Sequence, residues 1–222
     1  MKILQLHLLN FQCYKKNVIS FEPDLTVLIA DNGVGKTSIA LNLIHHLSPT
    51  QIIDLDIHGG LSEVNLLRES PLEVKKTTDI NQLLKWLDTD EMTVVDCGGF
   101  DTDLIKCAIS QADFVLTPST DDPTDQLALR KFNDVVKAVN DEWIQSDEKV
   151  KANVVLNRVH PLRRDFSDLS TLIDSLDCLE LCPIKIRQST SVPAAAFSGE
   201  GVKSGSAAAQ FNQLAKYIES SF

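Results

Sequence analysis

The stretch Ala30-Asp31-Asn32-Gly33-Val34-Gly35-Lys36-Thr37-Ser38 carries residue types that hold phosphate. It follows the apolar run Leu25 to Ile29 and opens a helix-forming stretch, Thr37 to Leu47. In the order strand, glycine loop, helix, backbone N–H groups converge on an anion, and the helix N-terminus adds its positive dipole end. Asn32, Gly33, Val34, Gly35, Lys36, Thr37 and Ser38 are the expected phosphate-binding set. Lys36 would reach the terminal phosphates, and the Thr37 hydroxyl would ligate Mg2+. Ala30 stands where the usual pattern has its first glycine, so the match is incomplete. Asp31 puts a carboxylate beside a site built for anions.

Two further segments supply carboxylates. Ile52-Ile53-Asp54-Leu55-Asp56 ends an aliphatic run with two aspartates two apart, which a strand end would point to one side. Near a triphosphate, one of the pair can hold the Mg2+ shell and the other can orient an attacking water. Thr93-Val94-Val95-Asp96 is a second aliphatic run ending in aspartate, placed to support the same ion. Gly98 and Gly99 would let the backbone turn close to the γ-phosphate. Asn157 closes Val154-Val155-Leu156, and its amide, both donor and acceptor, suits the edge of a base.

These residues need elements to position them. Short apolar runs alternate with helix-forming stretches, which predicts βα units around a mostly parallel sheet with helices on both faces. Strands are expected over 2–8, 18–21, 25–29, 52–55, 93–96, 114–117, 153–156 and 181–186. Helices are expected over 37–47, 80–87, 103–111, 124–140, 168–176 and 207–220. Pro49, Pro118, Pro123 and Pro161 fall in the intervening breaks. Residues 198–206 form a Gly/Ser-rich loop, expected to be mobile. The terminal helix gathers Phe211, Leu214, Ala215 and Ile218 on one face, the pattern of a helix docked on a core. The expected organisation is one domain over 1–222, with 1–24 as a hairpin-like N-terminal extension.

Composition narrows the classes. The net charge of −10 argues against a general nucleic-acid coat. Its distribution is uneven: residues 1–150 hold 13 basic against 24 acidic residues, and residues 151–222 hold 8 against 7. A local basic face built from Arg158, Arg163, Arg164, Lys185 and Arg187 is either a solvated surface or a DNA contact. No run approaches the ~18 apolar residues of a membrane span, and no secretory signal is visible. Five cysteines without a Cys-x-x-Cys pair suit free thiols in the cytoplasm. The five histidines show no metal-ligand spacing.

Taken in order, the motifs resemble the ParA/MinD family of P-loop ATPases over residues 25–222. The residues that carry the likeness are Asn32 to Thr37, Asp54 to Gly59, Asp96, Pro118 and Asn157. The ending adds Pro183-Ile184, Ala196, Gly199 to Gly201, Ala207 to Ala209 and Leu214-Ala215-Lys216. The resemblance implies ATP and Mg2+ as cofactors and a homodimer with two nucleotides sandwiched between subunits. It also implies slow hydrolysis stimulated by a partner protein, nonspecific DNA binding, and a role in plasmid or chromosome partition or in positioning a large assembly. It gives Lys36 the β- and γ-phosphates, Thr37 and Asp96 the metal with Asp54 in its shell, and Asp56 the attacking water.

The chain departs from that pattern. The family's signature lysine falls at Asp31, and its Pro-Gln after the second aspartate is Ile57-His58. A carboxylate at position 31 cannot neutralise phosphate, so very slow hydrolysis or a different dimer geometry is expected. The first ~45 residues resemble instead the RecF/SMC-type ABC ATPases, through Asn10-Phe11, Tyr14-Lys15, Phe21-Glu22-Pro23 and Asn32-Gly33. Those enzymes also need a Ser-Gly-Gly helix and an Asp-Glu strand end, whereas here Ser62 precedes Glu63 and Asp96 precedes Cys97. The functional readings are therefore a ParA-like ATPase switch, a nucleotide-binding scaffold with little hydrolysis, or an ABC-type ATPase. A small-molecule enzyme of the related dethiobiotin-synthetase type lacks an evident substrate pocket.

Overall fold

The computed structural model describes residues 5–8, 17–20, 25–28, 35–98, 102–120, 122–144 and 149–221. Two short strands, β1 (Gln5–Leu8) and β2 (Asn17–Ser20), pair antiparallel. The six strands that follow are β3 (Leu25–Leu28), β4 (Gln51–Asp54), β5 (Thr93–Asp96), β6 (Phe114–Ser119), β7 (Ala152–Val159) and β8 (Leu179–Arg187). They form one parallel sheet in the order β4-β5-β3-β6-β7-β8.

The aliphatic runs become buried strands because both faces of the sheet are covered. β4, β5 and β6 are buried along their whole length. On one face lie α3 (Ile80–Leu87), α4 (Asp103–Gln111), α5 (Pro123–Glu142) and α6 (Ser167–Asp174). They pack Leu83, Ile105, Phe132 and Ile173 against Val27, Val95 and Val154. On the other face lie α1 (Lys36–Leu47), α2 (Gly60–Asn65) and α8 (Gly205–Glu219). They pack Ile39, Leu43, Leu61, Phe211 and Leu214 against Val94, Leu116 and Val155. Ser191–Ala196 forms α7, beside α1. Phe211, Leu214, Ala215 and Ile218 are all buried, as the apolar face of α8 predicts.

Register sets the working edge. Leu28 pairs with Asp96, and Asp96 with Asp54, so β3, β5 and β4 end at one level. β3 has β5 on one side and β6 on the other, and the chain leaves it toward α1. The strand order reverses there, which is where open α/β sheets bind ligands.

Several expectations are corrected. Pro118 lies inside β6, in register with Val155, rather than in a break. Among the described residues, pairing of β6 with β3 ends at Leu116, and Pro118 pairs with β7, a place where a strand tolerates proline. Residues 198–206 are not a loose loop. Gly199, Gly201 and Val202 are buried, and the Val202 N–H donates to Asn42 Oδ1 at 2.8 Å. A Cβ on Gly201 would lie 2.7 Å from His45 Cβ, so only glycine lets the segment lie on α1. Gly205 and Ser206 already belong to α8. β7 extends beyond 153–156 to Val159. α2 and α7 are helices of six residues each that sequence periodicity does not reveal.

Four of the cysteines, Cys97, Cys107, Cys178 and Cys182, are buried free thiols, as the cysteine spacing predicts, while Cys13 lies outside the described residues. Burial pushes the Cys97 thiol far up and Cys182 to about 11, so neither is a ready thiolate. Among the described residues, no helix is long and apolar enough to cross a membrane.

Candidate functional site

Gly35 is the turn into α1. It holds φ 95° and caps the helix, and the Ile39 N–H donates to its carbonyl at 3.0 Å. That conformation strains any residue with a Cβ. Asn157 Nδ2 would lie 2.5 Å from a Cβ there, so the same glycine also admits β7 to the loop. Asn157, assigned above to a base, is thus buried under the end of the phosphate loop. Asp31, Asn32, Gly33 and Val34 lie outside the described residues.

Lys36 is 6% exposed, at the first turn of α1. Thr37 follows, and the chain after β4 closes over it: a Cβ on Gly60 would lie 3.2 Å from Thr37 Oγ1. The turn at Gly59, with φ 62°, allows this approach, and Lys76 Nζ lies over it, 2.5 Å from where a Cβ would stand. Lys76 reaches that position because its neighbour Lys75 pairs with the outer edge of β4. The Asp54 N–H donates to the Lys75 carbonyl at 2.9 Å.

The two aspartates after β4 differ in role. Asp54 organises the turn: Oδ1 accepts from the Asp56 N–H at 3.0 Å, and Oδ2 from the Ser62 N–H at 2.9 Å and the Ser62 hydroxyl at 2.6 Å. Asp56 is more open, and its Oδ1 accepts from the His58 N–H at 2.9 Å. Both lie near Asp96, whose charge they disfavour.

Asp96 is the electrostatic centre. It is 1% exposed, and its Oδ1 is buried without a hydrogen-bond partner. Burial, then the Asp54 and Asp56 charges, push its carboxyl up to about 8, with Lys36 opposing them. A buried carboxylate oxygen with nothing to bond, beside a buried lysine and two more carboxylates, is a site that wants a cation. Oxygen donors from Thr37, Asp54 and Asp96 are the hard ligands Mg2+ takes. Among the described residues, no group of three or more His, Cys, Asp and Glu side chains could hold a metal ion by themselves. An ion here would therefore draw on a hydroxyl and on phosphate, the usual habit of Mg2+ in nucleotide sites.

The basic residues of the last third divide. Arg163 and Lys185 both lie over one ring, their charged groups 5.5 Å and 5.3 Å from the Phe166 centroid. Arg187 donates to the Pro161 carbonyl, and Arg164 lines an open pocket of about 280 Å3 with Arg163, Asp165, Ser167 and Asp168. Arg158 leaves this group and turns toward Gly35. Sequence reasoning missed that turn, and it missed Lys76, which sits in a polar segment with no motif.

The sequence model of an AAA ATPase domain matches residues 1–175. No curated protein matches the chain in sequence. Among solved structures, a chain of the Aquifex aeolicus MinC:MinD cell division protein complex is similar with a TM-score of 0.65 and 14% identity, over 89% of this chain and 96% of that one. Pyrococcus horikoshii MinD with Mg-ADP gives 0.64 and 14%, over 89% and 96%. A plasmid partition protein of Borrelia burgdorferi B31 bound to AMPPNP gives 0.60 and 15%, over 90% and 98%. At such identity the likeness is one of fold. The chain therefore belongs to the AAA ATPase domain family and has the α/β fold of the MinD and ParA P-loop ATPases.

Proposed function

We propose that this protein is a ParA-like molecular switch that binds ATP with Mg2+ and hydrolyses it slowly. One observation carries the reading: the unpaired, buried Asp96 Oδ1 at the level where β3, β4 and β5 end, beside Lys36. Lys36 would bind the β- and γ-phosphates, with the N–H groups of 32–38 around them. Thr37 and Asp96 would hold the metal, with Asp54 behind them fixing the turn. Bound Mg2+ would neutralise the phosphate charge. Asp56 would hold the attacking water, and Asn157 would meet the nucleoside.

The same reading makes the ATP form a homodimer, with a partner protein that stimulates turnover and with plasmid DNA or a cellular assembly as cargo. A cytoplasmic site of action suits it. Nucleotide titration with and without Mg2+, followed by light scattering, tests it. The expected result is Mg2+-dependent ATP binding and a shift from monomer to dimer. No binding of ATP by the wild-type protein would overturn the reading.

A second reading rests on Asp31: a scaffold that binds nucleotide but barely hydrolyses it. Robust unstimulated turnover, unchanged in Asp31→Ala, would sink it.

A further inference from the structure

We propose that Arg158 is a phosphate ligand of the nucleotide site, the second cation of a loop that itself supplies only Lys36. The inference rests on the nucleotide-binding reading above. Its first support is the direction of two neighbouring side chains. A Cβ on Gly35 would lie 2.5 Å from Asn157 Nδ2 and 3.5 and 3.6 Å from Arg158 Nε and Nη2. Consecutive residues of a regular strand point to opposite faces. Here both reach the same glycine of the phosphate loop.

The backbone explains how. Between Leu156 and Val159 the register of β7 against β8 slips: Leu156 pairs with Lys185 and Val159 with Arg187, so β7 has one residue more than its partner. Arg158 sits in this bulge with φ 55°. Bulges re-aim side chains at the rims of sheets and beside active sites. A left-handed conformation costs free energy in any residue but glycine, and such costs gather where a side chain is needed in one place. Glycine would hold this turn without strain, yet the position carries an arginine, exposed as a residue, whose guanidinium lies beside Gly35.

The charge at the site calls for a second cation. Asp54, Asp56 and Asp96 lie close together at the site with Lys36 among them. A polyphosphate entering this field needs further positive charge. A planar guanidinium offers two parallel N–H donors matched to phosphate oxygens. Arg158 also stands apart from Arg163, Lys185 and Arg187, which gather around Phe166 and Pro161.

The test is calorimetric titration of wild type, Arg158→Gly and Arg158→Lys with ATP, ADP, AMP and adenosine, at fixed Mg2+ and salt. Glycine suits φ 55°, so Arg158→Gly is expected to fold with an unchanged or raised Tm. Its ATP affinity should fall by roughly tenfold or more, its AMP affinity less, and its adenosine affinity not at all. Arg158→Lys should lie between, because a point charge replaces a fork. ATP affinity within about twofold of wild type in Arg158→Gly overturns the proposal. So does an equal loss for ATP and adenosine, which would place Arg158 on the nucleoside. A wild-type protein that binds none of the four ligands overturns the functional reading itself, a result distinct from either.

Discussion

Gly98 lies against Asp56 with no space for a side chain between them. A Cβ on Gly98 would stand 3.1 Å from Asp56 Cα and 3.2 Å from Asp56 Oδ1. The glycine after β5 thus fixes the distance between the strand that carries Asp96 and the carboxylate that would hold water. The Leu55 N–H adds to this by donating to the Asp96 carbonyl at 2.8 Å. Gly98→Ala should therefore push Asp56 aside without touching Lys36 or Thr37. The expected outcome is turnover reduced about tenfold or more, since small displacements of positioned groups are costly, with ATP affinity within about twofold. Steady-state hydrolysis and nucleotide titration read the two effects separately. Unchanged turnover would take the water-positioning role from Asp56.

Asp96 predicts a trade between stability and binding. Its carboxyl is buried, has an unpaired oxygen, and faces Asp54 and Asp56. Without a cation, an asparagine of the same shape removes the buried charge problem. Asp96→Asn should raise the Tm of the nucleotide-free protein at neutral pH, by free energy on the order of 1–3 kcal/mol. The same substitution should abolish the Mg2+-dependent part of ATP affinity. Thermal melts with and without Mg-ATP measure both. A lower Tm in the nucleotide-free variant would show that Asp96 is satisfied by something other than a cation.

The sheet and the chemistry along its edge were legible because they are local. Aliphatic runs ending in Asp54 and Asp96 announce strands whose ends meet a ligand, and the bounds of β5, α3 and α4 follow from periodicity and caps. What stayed hidden depends on distant contacts. Gly59-Gly60 reads as a loop because its left-handed cap turns α2 onto Thr37, a contact between segments over twenty residues apart. The 198–206 stretch reads as mobile because nothing local reveals the Asn42 amide and the α1 surface it packs on. Arg158 reads as one more basic residue because the bulge that turns it is a property of the β7–β8 register.

That packing of 198–206 on α1 carries a pH dependence. His46 lies on α1 with Nε2 buried and without a hydrogen-bond partner. Burial, then the neighbouring His45, whose ring centroid is 4.9 Å away, lower its pKa, with a hydrogen bond to the Val202 backbone opposing them. The unfolded chain therefore takes up a proton near 6.5 that the folded protein resists. Below that pH the unfolded state binds more protons, so stability falls as pH drops through about 6.5 and is restored above it. His46→Phe should flatten this part of the profile. Denaturant unfolding of both proteins from pH 5 to 8 checks it, and parallel profiles would show that His46 does not titrate on unfolding.

The basic group around Phe166 predicts how DNA would be held. Arg163 and Lys185 sit over that ring at half-buried positions, and Arg164 extends the patch along the lining of the adjoining pocket. The patch includes Asp165 and Asp168 and sits on a chain of net charge −10, so any DNA contact must be confined to it. Binding should be weak, indifferent to sequence and steeply salt-dependent, with each phosphate contact adding about 0.9 to the slope of log K against log salt. Arg164→Ala leaves the Phe166 stack intact and should lower that slope by about one unit. Arg163→Ala with Lys185→Ala should lower it by about two, while ATP affinity holds. Fluorescence anisotropy with a random duplex, with an ATP analogue present and salt varied, gives the slopes directly. A slope unmoved by all three substitutions would take DNA off this face and leave Phe166 and its cations as a solvated surface.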